Sequence, residues 1–396
     1  MKCYMKSALF CSLVVLSGCS ASNRLAKKNE LLQNAMTGFV TYLADDRLEG
    51  RRTGTAGEKL AMEYIAGQYS KAGLVPKGTD GYFQSFSVNE GKKMGPDCKM
   101  IIANKVLTPE KDFFVFPYSA AASITAPLTP GLREMGAPWL IDLRDVLEEN
   151  KTNPHFDLPG YIYEFSSKAK EKGAAALLWH NSSLIDDMLS FNSKDKLPSV
   201  AIPVFYVKHT AVAAFTNQEV ASLEISARAS LADKIRTGAN VIGYIDNGAP
   251  TTVVLGAHFD HLGYGEDGNS RYEKKEAAIH NGADDNASGT ATLLALGYEL
   301  KKLAARSNNY LLIAFSGEEL GLYGSKHFVE NPTIDLKSIN YMINMDMVGR
   351  LNDSTKTVTI GGYGTSPYWS SVINSSAKGS FSVKIDSSGS GPSDHT

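Results

Sequence analysis

From about residue 240 onward, short apolar runs alternate with helical stretches, and most of these runs end at an imidazole or a carboxylate. Runs at 241–245, 252–257, 310–315, 341–345 and 357–360 read as strands, and 289–305, 320–329 and 367–377 as helices. This rhythm predicts an α/β domain built on a doubly wound, mostly parallel sheet with helices on both faces. In open sheets of that kind, sites form beyond the carboxyl ends of the strands. Here those ends carry the polar groups. The 252–257 run leads into His258 and Asp260, and Asp284 and Asp285 stand just before the 289 helix. The 310–315 run leads into Glu318 and Glu319, the 341–345 run into Asp346, and Ser393-Asp394-His395 lies far downstream.

Buried, unpaired carboxylates are costly, so several of them converging on one crevice require cations. Imidazole nitrogens together with carboxylate oxygens form the ligand set of a catalytic zinc. Two histidines with three carboxylates exceed what one tetrahedral zinc accepts. They suit a pair of ions about 3.5–4 Å apart that share one carboxylate. Glu318 is then left over beside the ligand candidate Glu319, the position of a general base. Asp260 lies two residues from His258 on one strand face, where it can accept the second imidazole N–H and fix the tautomer.

The stretches GAHFDHLG (256–263), NGADDNASGTA (281–291), FSGEELGLYGS (315–325), NMDMVG (344–349) and SDH (393–395) resemble the di-zinc aminopeptidase family of secreted bacterial leucyl aminopeptidases. The amino-terminal RLEGRRTGTAGEKLA run (47–61) is similar to it as well. Glutamate carboxypeptidase and the transferrin receptor are more distant relatives of that family. The resemblance implies two Zn²⁺ per chain: one held by His258, Asp284 and Asp346, the other by Asp284, Glu319 and His395, with Asp284 bridging. It implies Glu318 as the base, Asp260 as the support for His258, and a cis peptide at Asp284-Asp285. It also implies an aminopeptidase acting on peptide substrates. A carboxypeptidase of the glutamate carboxypeptidase type stays open, although Arg271 and Arg350 are few to grip substrate carboxylates. Glutaminyl-cyclase-like acyl transfer on a single zinc and a decayed surface scaffold stay open too. The family's catalytic domain continues with another strand and helix, so a chain that stops one residue after His395 reads as truncated.

Other histidines have plainer readings. His261, His280 and His327 read as hydrogen-bonded loop or surface groups, and His155, His180 and His209 as structural. Asp285 and Asp394 read as partners that support the ligands. The GYGEDG run (263–268) matches a dinucleotide pattern without the helix that pattern requires, and reads as a mobile loop at the rim of the cleft. HExxH and GxSxG are both absent from the sequence, which removes the commoner zinc-protease and serine-hydrolase plans.

At the amino terminus, Lys2 and Lys6 precede an apolar stretch, 8–16, too short to span a bilayer, and it ends in Leu16-Ser17-Gly18-Cys19. This resembles a bacterial lipobox. The expectation is a lipoprotein signal over 1–18, a lipid anchor on Cys19 and a tether over 19–29. Ser20 follows the cysteine where an inner-membrane retention signal would place Asp, which favours the outer membrane as the location at the cell envelope. Cys98 is the only cysteine left for the mature chain, so no intrachain disulfide is expected. The peptidase domain is expected over 30–112 and 233–396. Between them, 113–232 changes texture to short apolar runs and Pro- or Gly-bearing turns. That segment reads as an inserted, smaller α+β domain, similar to the protease-associated insert of some family members.

Composition closes off other classes. With 40 Lys and Arg against 42 Asp and Glu, the formal charge is −2, which offers no basic stripe for nucleic acid. Hydrophobic residues make up 43% of the chain, enough to exclude a disordered one. The sequence leaves oligomeric state open.

Overall fold

The computed structural model describes residues 5–129, 131–216, 223–274, 276–303, 306–376 and 381–396. Lys2 and Cys3, residues 304–305 of the expected 289–305 helix, and residue 377 lie outside them. The chain divides into two units, Met1–Val88 with Arg236–Thr396, and Asn89–Ile235.

The first unit is built on a six-stranded sheet. Its order is Val75–Pro76, Leu231–Ile245, Asn309–Phe315, Thr252–His258 and Ile339–Asn344, with Phe83–Met94 also pairing with Leu231–Ile245. Thr252–His258 is buried along its whole length, as a strand covered on both faces must be. Val253, Leu255 and Ala257 face one way, onto Phe39 and Leu43 of the helix Met5–Leu43, Ile65 and Tyr69 of Ala56–Ala72, and Leu293 and Leu294 of Gly289–Leu300. Val254 faces the other way with Leu311, Ile313 and Phe315, toward Phe328 of the helix Tyr323–Glu330. Period-two alternation therefore gives each face of the sheet its own core.

Within this sheet, Thr252–His258 lies parallel to both Asn309–Phe315 and Ile339–Asn344. Leu231–Ile245 runs antiparallel to Asn309–Phe315 and to Val75–Pro76. The sheet is thus mixed rather than mostly parallel. A connection as short as 246–251 can only reverse the chain, whereas a parallel partner needs a longer crossover such as the Gly289–Leu300 helix. The helix after Glu319 starts at Tyr323 because the chain first turns, with the Gly321 N–H donating to the Glu318 carbonyl (2.9 Å). The amino-terminal helix Met5–Leu43 runs on through the expected tether. A two-stranded parallel pair, Thr357–Ile360 with Ser382–Ile385, completes the described part of this unit.

The second unit holds two four-stranded sheets. One is ordered Lys105–Leu107, Lys99–Ile102, Leu223–Arg228, Ser123–Leu128; the other Phe113–Val115, Val204–Val207, Ala176–His180, Pro138–Asp142. The unit starts ahead of Phe113, where the sequence texture changes, because Lys99–Ile102 pairs with Leu223–Arg228. Its helix Leu158–Ala169 is opened by the Asp157 carboxylate, which accepts from the Gly160 N–H.

Candidate metal centre

Strand register brings the polar ends together. His258 stands opposite Phe315, and Gly256 opposite Asn344. Glu318 and Glu319 therefore leave the sheet on one side of His258, and Asp346 on the other. His258 is almost fully buried at 1% exposure. Its Nε2 lies 3.3 Å from Asp285 Oδ1, 3.4 Å from Asp346 Oδ1 and 4.0 Å from Glu318 Oε2. A second group gathers His261, Asp285 and Glu319, with His261 Nδ1 at 2.6 Å from Glu319 Oε1. In each group the ligating atoms lie within 4.8 Å of one another. Asp285 belongs to both.

Of the residues expected at the site, His258, Asp260, Glu318, Glu319 and Asp346 are brought together. Asp284 is not. Its Oδ1 accepts from the Gly349 N–H at 3.0 Å and its carbonyl from the Ser288 hydroxyl, so the shared position expected at Asp284 is occupied by its neighbour Asp285. The cis peptide bond is likewise Asp285–Asn286, one residue on from the expected Asp284-Asp285. His395 is exposed and stands outside both groups among the described residues, acting on Asp346 through its charge. His261, read from the sequence as a loop group, takes the imidazole place in the second group.

Hydrogen bonds explain how the acids are held. The buried Asp260 carboxylate accepts from the Thr53 hydroxyl (3.1 Å) and from the Glu318 (3.2 Å) and Glu319 (3.4 Å) N–H groups. His258 Nδ1 is closer to the Asp260 carbonyl, at 3.2 Å, than to its carboxylate, at 3.6 Å. The backbone is therefore the nearer partner for orienting the imidazole, and the Asp260 side chain mainly fixes the turn that carries Glu318 and Glu319. The Asn286 side chain donates to the Met345 carbonyl (3.0 Å) and accepts from Met347 (3.2 Å), which places Asp346 between two anchored neighbours. Gly282, at φ 57°, is needed for close approach: a Cβ there would come within 2.6 Å of the His261 ring. These positioning residues were missed in the sequence. The double acid of ADDN was the available signal for Asp285, while Thr53 and Asn286 gave none.

Electrostatics fit a cation site. Burial alone would pull the His258 imidazole down, but Asp260, Asp285 and Asp346 hold it well above its usual range. Burial pushes the Glu318 carboxyl up to about 8, with Asp260, Asp394 and Glu319 adding and His258 opposing. Burial also pushes Asp394 up to about 7, and among the described residues its carboxylate oxygens and Asp346 Oδ1 are buried with no partner in hydrogen-bond geometry. Orphaned carboxylate oxygens beside imidazole nitrogens are the chemistry of a donor set for a divalent ion. The loop after Gly263 is pinned rather than loose. Arg52 reaches both Asp267 oxygens (2.8 and 2.9 Å), Arg236 adds a third contact at 3.2 Å, and the Asn269 amide donates to the Glu319 carbonyl.

Residues 240–396 match peptidase family M28. Aminopeptidase YwaD of Bacillus subtilis (strain 168) is 31% identical over 192 residues, 47% of this chain and 37% of that protein. The probable lipoprotein aminopeptidase LpqL of Mycobacterium tuberculosis (strain ATCC 25618 / H37Rv) is 28% identical over 186 residues, 46% of this chain and 33% of that protein. The chain thus spans little more than a third of the length of these curated relatives. Among solved structures, that of BSAP, a zinc aminopeptidase from Bacillus subtilis, aligns with 92% of this chain and 81% of that one at 24% identity, with a TM-score of 0.43.

Proposed function

We propose that this chain is a zinc-dependent exopeptidase that releases amino-terminal residues from peptides. One observation carries the reading: the Asp285 carboxylate is common to a His258–Asp346 group and a His261–Glu319 group, and Glu318 stands 4.0 Å from His258 while belonging to neither. The names of the related proteins, aminopeptidase and lipoprotein aminopeptidase, support peptides as the substrate class.

Two Zn²⁺ per chain suit this donor set. His258, Asp285 and Asp346 would hold one ion. Asp285, Glu319 and one imidazole would hold the other, His261 on the distances and His395 on the family resemblance. Such a pair, when bound, lowers the pKa of a shared water and polarises a carbonyl. Glu318 takes the proton of the attacking water on its carboxylate and later delivers it to the leaving amine. Asp260 keeps that carboxylate in place through the Glu318 and Glu319 amides. The His258 Nδ1–H, directed at the Asp260 carbonyl, leaves Nε2 free to ligate.

The reading extends to the envelope. Cys19 in LSGC is the proposed lipid attachment site, with export following from it and outer-membrane residence from Ser20, and the name of the relative LpqL supports a lipoprotein. Among the described residues no helix is long and apolar enough to cross a membrane. The Asn89–Ile235 unit, with its own sheets and cores, is the proposed protease-associated insert.

A panel of aminoacyl-anilides, acidic dipeptides and amino-terminal glutaminyl peptides, each with and without a chelator, tests the activity. Hydrolysis of the anilides that a chelator abolishes and zinc restores is expected. Cleavage of only the acidic dipeptides, release of ammonia from the glutaminyl peptides, or activity indifferent to the chelator would overturn it.

A further inference from the structure

We propose that Arg51 is a positioning residue that clamps the Asn281-Gly282 turn against the end of the His258 strand and so presets Asp285 before any metal binds; the inference rests on reading the site as a metal centre. Arg51 sits in a short charged turn, Asp46–Arg51, yet its side chain is fully buried. Its guanidinium donates to four backbone carbonyls from three separate parts of the chain. Nε reaches the Phe259 carbonyl at 2.7 Å, Nη1 the carbonyls of Asn281 (2.6 Å) and Leu43, and Nη2 that of Gly282 at 3.0 Å. The Arg51 carbonyl in turn accepts from the His261 N–H at 3.3 Å, and the Gly50 carbonyl accepts from Gly263 at 3.2 Å.

One side chain therefore ties the residue after His258 to the turn that leads into Asp285, and its own backbone holds His261. A buried arginine ordinarily pairs with a carboxylate. Here the fork is directed at carbonyls, and Asp260, Asp285 and Glu319 answer its charge only through their fields. Arg51 itself adopts φ 50°, and Gly50 before it φ 66°, a left-handed pair that turns the side chain inward. Two roles predict opposite results. A positive charge near a cation site repels the cation, so if charge were all that mattered, losing Arg51 would tighten metal binding. A clamp predicts the reverse.

Metal-free protein is titrated with Co²⁺, followed by calorimetry and by the visible absorption of the bound ion. Arg51→Met is expected to weaken cobalt binding by about 10- to 100-fold and to alter the absorption bands, as loss of outer partners does. Arg51→Lys, which keeps the charge without the planar fork, falls between. Ile242→Ala, in the separate core on the other face of the sheet, lowers stability while leaving cobalt affinity as it was. Wild-type or tighter cobalt binding in either Arg51 variant overturns the proposal. Hydrogen exchange on the metal-free wild type decides the matter if both variants fail to fold. Protection of the amides of residues 261, 263 and 287 before metal is added supports the clamp, and free exchange there overturns it. A wild-type protein that binds no cobalt removes the metal reading instead, and exchange still judges the clamp.

Discussion

Thr252–His258 and Ile339–Asn344 are parallel neighbours that both lead into the proposed metal centre, and they are built in different ways. Every residue of the first is buried, and none of the second is. Leu255 is 5% exposed, whereas Ile343 is 42% exposed. His258 is therefore positioned by the packing of its own strand. Asp346, two residues past the end of the exposed strand, depends on hydrogen bonds lent by another segment. Asn286 grips the backbone at Met345 and Met347, and the Ser288 hydroxyl accepts from the Val348 N–H at 3.0 Å. The same short segment carries Asp285. A ligand can thus be placed precisely by a dry strand or by a polar hub, and here the hub serves both the shared carboxylate and its less protected neighbour.

The hub side of this comparison should break most completely. Asp285→Ala is expected to lose both equivalents of metal by elemental analysis and essentially all hydrolysis. Asp284→Ala removes the acceptor for Gly349 and a longer contact to the Ser288 hydroxyl, and keeps its metal. Retention of two metals in Asp285→Ala, or their loss in Asp284→Ala, would reverse the assignment. The next largest effect lies on the buried side. Glu318→Ala is expected to lower kcat by about 10²–10⁴-fold, the usual worth of a positioned acid–base group. Metal content and the melting curve stay at wild-type values. Turnover near wild type in that variant would remove Glu318 from the chemistry.

The buried strand was legible in the sequence because a fully covered strand must be an unbroken apolar run, and 252–257 is one. The strand ends were legible for the same reason: a carboxylate or imidazole directly after such a run has nowhere to go but the sheet's edge. Direction was not legible. Periodicity fixes which face a residue takes and says nothing of direction, and the short 246–251 connection, which forces a reversal, does not tell which strand Leu231–Ile245 pairs with. The choice between Asp284 and Asp285 was hidden too, since adjacent residues point different ways and only backbone geometry decides which one faces His258. Arg51 was the least visible. It stands among other charges in DRLEGR, and its burial is decided by carbonyls of Leu43, Phe259 and Asn281, which no local pattern brings together.

Packing tests the comparison from the other direction. Leu255→Ala empties a covered site between helices and sheet and should cost about 2–5 kcal/mol in denaturant unfolding. Ile343→Ala, on the exposed strand, should cost within about 1 kcal/mol. Equal losses would mean that Ile339–Asn344 is held by its side chains after all, and that Asn286 contributes little to placing Asp346.

The smallest effect concerns the acid beneath the Glu318 turn. Glu58 is 3% exposed and accepts from the Gly54 (2.6 Å) and Ala239 (3.3 Å) N–H groups and from the Ser316 hydroxyl. Burial pushes its carboxyl up to about 7 despite these donors, and the charge of Asp260 adds to the push. The folded protein therefore binds a proton here that the unfolded chain, titrating near 4.5, has already released. In the window between those values the unfolded state binds fewer protons, so the contribution of Glu58 to the stability of the metal-free protein falls as pH rises from about 4.5 to about 7 and levels off beyond it. Glu58→Gln keeps the shape and removes the titration, so the difference in unfolding free energy between variant and wild type should change across that window and stay constant above it. A difference that does not vary with pH would mean that the three donors already hold Glu58 at an ordinary carboxylate value, and that the buried side of the site tolerates charge better than its dryness suggests.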